Sequence, residues 1–290
     1  MTRRLSFLCA LTLIGALGAC GSDGGDRSGE PAGDFSTDLT DAEAYPVVVS
    51  SEVVVGENRF LIGLLDENDA PIGGEDIDIS VSFDRDGEDE LAAQEMEFVL
   101  TVPPDRGVYA AYPEFEQAGS WFANFTIEGE GISERLRQAF EVKAEGTTPA
   151  LGAAAPSSET PTGDDVKKLT EISTDPHPDP RFYRLSIDEA IDEGRPFVVT
   201  FATPKFCSSA VCGPTLDIVK KVAKDFPRLT FIHSEIYQDL EPTNPVVPAV
   251  EEWGLPSEPW IFVVDAEGEV AAKYEGSVAA SELRDALERL

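Results

Sequence analysis

Cys207 and Cys212, in FATPKFCSSAVCGPTLD (201–217), are the residues of this chain best suited to covalent chemistry. Four residues separate them. A pair so spaced can exchange disulfides, staple the fold or bind a soft metal. On a regular helix, residues five apart lie roughly 140° around the axis and about 8 Å along it. A disulfide needs Cα atoms within about 7 Å of each other. The spacing therefore places Cys207 ahead of the helix proper, or requires the first helical turn to deform. Gly213 and Pro214 mark a break near that helix start.

The other two cysteines, Cys9 and Cys20, lie in the N-terminal stretch MTRRLSFLCALTLIGALGAC. Arg3 and Arg4, a short apolar run and small residues before a cut describe a secretory signal, too short to span a bilayer stably. Leu17-Gly18-Ala19-Cys20 resembles the bacterial lipobox. The resemblance implies a signal peptide over 1–19 and a lipid on Cys20, anchoring the protein to the extracytoplasmic face of the cell membrane. GSDGGDRSGEPAGD follows as a polar tether, and 20–45 is read as that tether. Cys207 and Cys212 then remain as thiols in a compartment where disulfides persist. No other apolar run is long enough to cross a membrane.

The formal net charge of −33 disfavours nucleic acid and anionic lipid surfaces as partners. Between residues 46 and 143, short runs of β-formers alternate with turn residues: VVVSSEVVV, RFLIGLLD, DIDISVSF, EMEFVLTV, GVYAAY, SWFANFTIE and RLRQAFEV. Seven such strands predict an all-β immunoglobulin-like sandwich without a disulfide. It holds no histidine, which weighs against copper storage, and no catalytic constellation. Support or partner contact is its expected role. Residues 144–182, rich in Pro, Gly, Ala, Ser and Thr, have too little apolar content to bury and read as a linker.

From 183 to 290 strands and helices alternate, predicting an α/β domain. LSIDEAIDEG is a short helix with Ser186 as its N-cap, and PFVVTFA a buried strand. Leu216, Val219, Val222 and Ala223 have helical spacing. LTFIHSEIY, WIFVVD and EVAAKYEG are further strands, and AASELRDALERL is an amphipathic closing helix.

This C-terminal part resembles the thioredoxin-like fold. The resemblance rests on GLPSEPWIFVVDAEGEVAAKYEG (254–276), which has the rhythm of the family's cis-proline, hairpin and following glycine. It implies that Pro259 is cis and borders the substrate groove, and that Cys207 is the nucleophile with Cys212 resolving. A helix N-terminus beside Cys207 favours its thiolate. The chain departs from the family in several ways: CX4C replaces CXXC, Thr215 stands where CGPC has its second cysteine, and Phe206 replaces a tryptophan. Thr200 and Phe201 stand nearest to the family's buried aspartate. His233 occupies a buried lysine's place, where it could relay protons to Cys212 or simply sit hydrogen-bonded in the core, and Glu235 is a weaker candidate.

TPKFC (203–207) is also similar to the TPGC of peroxiredoxins, but carries one extra residue and lacks a matching arginine. Copper chaperones of this fold add a later histidine, and none follows His233, so no metal and no cofactor is implied. The resulting expectation is a multidomain, lipid-anchored thiol–disulfide oxidoreductase acting on exported thiol or disulfide proteins. The alternatives are a binding or scaffold lipoprotein stapled by Cys207–Cys212, and a thiol peroxidase.

Overall fold

Six of the seven runs of β-formers become strands of two sheets that face each other, whereas of VVVSSEVVV only Val47 and Val48 lie in one of these strands. A computed structural model describes residues 35–104, 106–129 and 131–290. The expected signal peptide and Cys20 lie outside the described residues. One sheet comprises β1 (Ala44–Val48), β2 (Phe60–Asp66), β5 (Glu97–Val102) and β6 (Arg106–Ala111), in the order β1-β2-β6-β5, with a short strand, Pro71–Ile72, added to β2. The other comprises β3 (Asp78–Arg85), β4 (Glu88–Glu95), β7 (Gly119–Gly129) and β8 (Ile132–Val142), in the order β8-β7-β3-β4. These orders are those of an immunoglobulin-like sandwich. Phe60, Ile62 and Leu64 of the first sheet share one buried core with Val81, Phe83, Trp121 and Phe125 of the second. The rings meet edge-on, with Phe60 and Phe83 centroids 5.1 Å apart.

Two expectations need correction here. Strand β4 was not among the seven predicted, because EDELAAQE is a polar, mostly exposed strand at the end of its sheet with no buried face to impose alternation. The tether read as 20–45 ends early. Ser36 pairs with Leu136 through Ser36 N–H to Arg135 O (2.9 Å) and Arg137 N–H to Ser36 O (2.8 Å). Leu39, Ala42 and Ala44 pack on the sandwich core.

The C-terminal sheet contains β9 (Phe197–Phe201), β10 (Thr230–Ser234), β11 (Trp260–Val264) and β12 (Val270–Glu275), in the order β10-β9-β11-β12. Strands β9 and β10 are parallel and the other pairings antiparallel. Helix α2 (Cys212–Val222) provides the crossover that a parallel pair requires. It packs with α4 (Ala280–Leu287) on one face of the sheet, where Leu216, Val219 and Leu283 meet Val198 and Ile261. On the other face, α1 (Ile187–Asp192) and α3 (Pro248–Glu252) bring Ile187, Val250 and the neighbouring Trp253 against Phe197, Val199 and Phe201. Every residue of β9 is buried, and each large side chain there contributes about 1.5–3 kcal/mol. Ser186 caps α1 through a capping box with Glu189.

Residues 144–182 form a packed strap rather than a solvated linker. Their small polar side chains bond to backbone and carboxylates, which needs no apolar period. Gly152 N–H and Ala155 N–H donate to Val270 O and Gly268 O, and Val270 N–H donates back to Ala153 O. Thr160 Oγ1 accepts from Ile187 N–H at the start of α1 (3.2 Å). Residues 34–290 form one compact unit. Glu52 and Arg59 of the sandwich join it to the C-terminal part: Arg59 pairs with Glu282 (2.7 Å), which also accepts from the Tyr112 hydroxyl (2.8 Å).

Candidate functional site

Strand β9 leaves the core at Ala202 and feeds a tight turn, with Phe206 N–H donating to Thr203 O and Ala210 N–H to Cys207 O. Ala210 adopts a positive φ of 60°, which helps fold back the ten residues, 202–211, between strand and helix. Cys207 and Cys212 are disulfide-bonded, with Cα atoms 5.9 Å apart. Cys207 lies in the loop and Cys212 opens α2, so the four-residue spacing closes without unwinding the helix. Cys207 is half-buried and Cys212 wholly buried. Pro214 occupies the first turn of α2, where its missing N–H has no helical partner to lose.

The start of α2 has no side-chain cap and no acidic residue in its first turn. Its free N–H groups therefore point into the loop, and Cys212 N–H donates to Cys207 Sγ (3.2 Å). Ser209 Oγ lies 3.3 Å from the same sulfur. In the reduced state this environment favours a thiolate on Cys207.

The strand register brings Pro259 to the same end of the sheet. Phe201 pairs with Trp260, so Pro259 stands level with the chain just beyond β9. The Glu258–Pro259 peptide is cis, and Pro259 O accepts from Gly276 N–H (2.8 Å). Burial pushes the Glu258 carboxyl above the usual carboxylate range.

His233 pairs in register with Thr200. Its Nε2 lies 3.0 Å from Ala202 O, which can only accept, so Nε2 carries the proton. Nδ1 then accepts from the Tyr183 hydroxyl at 2.7 Å, itself 2.8 Å from Ser173 Oγ. Burial holds His233 below the ordinary histidine range, outweighing the opposite pull of Glu235. Both ring nitrogens are thus engaged, and neither bonds a cysteine sulfur. Of the two roles open to His233 in the sequence, these contacts fit the hydrogen-bonded core residue.

Glu235 is buried and accepts from Thr174 N–H (2.5 Å) and Thr174 Oγ1 (2.7 Å). Thr174 Oγ1 in turn accepts from Lys205 N–H (3.3 Å), in the cysteine loop. Asp175 binds Lys220 of α2 (2.7 Å). Burial lowers the Lys220 pKa, but Asp175 and Asp217 outweigh it and hold the ammonium above its ordinary value. The strap thus ties together the loop before Cys207, the helix after Cys212 and strand β10. Thr174, Asp175 and Lys220 escaped the sequence reading. The one signal for Thr174 and Asp175 is the run STDPHPDP, whose Asp-Pro steps favour turns over helix or strand.

The sandwich also borders this site. Helix α2 touches β5, and Ala279, beside α4, packs on Leu61, Val99 and Ala110. A separate cleft of about 470 Å³ lies between Arg59 and Tyr112 of the sandwich and Lys273 of β12, and neither cysteine lines it.

No curated protein matches the chain. Among solved structures, the PKD domain from human VPS10 domain-containing receptor SorCS2 matches at 13% identity and a TM-score of 0.19, over 46% of this chain and 98% of that domain. Residues 40–126, within the sandwich part, match the model of the YtkA-like family.

Proposed function

We propose that the C-terminal part is a thioredoxin-like domain that exchanges disulfides with exported thiol or disulfide proteins. The observation that carries this reading is the unequal burial of a bonded pair, with Cys207 reachable from solvent and Cys212 shielded in the first turn of α2. An exchanging pair needs one sulfur to meet the partner and another to release it. The strand order β10-β9-β11-β12, the α2 crossover and Pro259 at the same sheet end support the reading. Cys207 attacks, Cys212 resolves, and Pro259 shapes the groove that takes the partner's backbone. His233 and Glu235 hold the loop in place rather than moving protons. The sandwich, set against α2, is a support or a second partner contact. A lipid on Cys20 anchors the whole to the extracytoplasmic face of the membrane.

The reduction potential of the Cys207–Cys212 pair tests the chemistry. A value between about −120 and −270 mV is expected, the range of exchanging pairs, whereas one below about −300 mV belongs to a permanent staple. The anchor is tested separately. Cys20→Ser should move the protein from the membrane fraction to the soluble fraction, and continued sedimentation at high salt would show that something other than this lipid holds it.

A further inference from the structure

We propose that a second site, at the opposite end of the C-terminal sheet from the disulfide, binds a small polyanion. A cavity of about 480 Å³ opens there, beside the starts of β9 and β10. Arg181, Arg184, Arg195 and Arg228 line it, with Glu193 the one acidic residue among its lining. This is a concentration against the composition, since the chain carries 55 acidic and 22 basic residues.

The four guanidiniums are not equally committed. Arg181 is held by Asp179 (2.7 Å) and Arg195 by Glu193 (2.5 Å). Arg184 and Arg228 make no ion pair and no side-chain hydrogen bond among the described residues. Arg106, Arg135 and Arg289 also lack an ion pair among the described residues, but they are scattered and none lines this cavity, whereas Arg59, Arg137 and Arg284 each face a carboxylate. Two uncompensated cations facing one cavity repel each other, and in so acidic a chain a single Asp or Glu on the rim would relieve them. Water serves these exposed donors in the free protein, and the uncompensated charge points to a ligand that supplies it.

The chemistry of that ligand follows from the lining. A guanidinium offers parallel N–H donors that match a carboxylate or phosphate two bonds at a time. Two free guanidiniums call for two negative charges. The cavity also lies against Phe182 and Phe231, both buried, with ring centroids 5.5 Å apart. The volume suits a small molecule rather than a protein segment. The site thus takes a compact dianion or polyanion bearing phosphate or carboxylate groups.

Calorimetric titration of the full chain with inorganic pyrophosphate and, separately, citrate tests this at fixed ionic strength. One-to-one saturable binding of at least one of them is expected, and the tighter of the two identifies phosphate or carboxylate as the group preferred. Arg184→Gln combined with Arg228→Gln should weaken it by about tenfold or more, as loss of two charge-assisted contacts implies. Both residues are exposed, so the double variant should keep the unliganded melting temperature of the parent. Arg106→Gln, on the sandwich, controls for general charge and should bind as the parent does. Failure of both probes to bind would overturn the proposal, as would equal binding by parent and double variant.

Discussion

Cys212→Ser is expected to accumulate mixed disulfides with exported proteins through Cys207, while Cys207→Ser accumulates none. In the proposed exchange, written in the direction that reduces a partner and running in reverse to oxidise one, there would be two steps. The Cys207 thiolate attacks one sulfur of a partner disulfide, forming the Cys207–partner bond and releasing the partner's other sulfur as a thiolate. The Cys212 thiolate then attacks Cys207 Sγ, forming the intramolecular disulfide and releasing the second partner thiolate, so two electrons pass from the pair to the partner. Removing Cys212 stops the sequence after its first step. Cys212 has no exposed surface, so it cannot substitute for Cys207 as the first attacker. In the reduced protein, Cys207 should also alkylate at least about tenfold faster, because only the thiolate reacts and the free N–H groups at the start of α2 favour it. Equal alkylation of both thiols, with no trapped species in Cys212→Ser, would assign the pair to a structural staple.

Glu52→Ala is expected to be among the most destabilising single changes outside the hydrophobic core. The Glu52 side chain is 2% exposed and pairs with Lys273 (3.2 Å). It also accepts from Thr147 N–H (2.6 Å) and Thr148 Oγ1 (2.7 Å). One carboxylate thus joins the sandwich, the strap and β12. Breaking a buried pair by removing one member costs about 3–5 kcal/mol, and the low end applies because Lys273 keeps part of its ammonium in water. Asp89→Ala, which removes the exposed pair with Arg85, should cost under about 1 kcal/mol. Urea denaturation followed by tryptophan fluorescence measures both, and equal midpoints would refute the ranking.

The pH dependence follows with a definite sign. Burial raises the Glu52 pKa, but the Thr148 and Thr147 hydrogen bonds and Lys273 outweigh it and leave the carboxyl below its ordinary 4.5. A depressed carboxyl stabilises the fold fully above its unfolded value and loses that contribution as pH falls through the folded one. The difference between parent and Glu52→Ala should therefore be constant at neutral pH and shrink below about pH 4.5.

Legibility in the sequence followed burial. Strands with a buried face, such as β2 and β7, announced themselves as runs of β-formers between turn residues, and β9 by its unbroken apolar run. Strand β4 did not, because its residues face water. Helix α3 is too short to show a period. The strap was misread for a related reason. Its stability comes from Thr and Ser side chains and backbone donors meeting particular carboxylates, as at Glu52 and Glu235, and such contacts leave no periodic trace. The cysteine pair was legible as a pair, and helix geometry left two placements, Cys207 ahead of the helix or a deformed first turn, of which the structure shows the first. What remained hidden was the support behind it, since Thr174 and Asp175 reach the loop and α2 from a segment that composition marks as featureless.

The pairing of Gly152 to Ala155 with Gly268 to Val270 has a consequence for the smallest piece of this chain able to fold. Strand β12 is the outermost of its sheet, and without those residues its first backbone groups would stand bare, a template for a second chain. A fragment starting at Tyr183 would hold all four strands and both cysteines, yet lack this cover and the Thr174 and Asp175 anchors. Such a fragment is expected to aggregate edge to edge. A C-terminal fragment that keeps this edge covered must therefore start no later than Gly152, and the residues that look like spacer are its protective border.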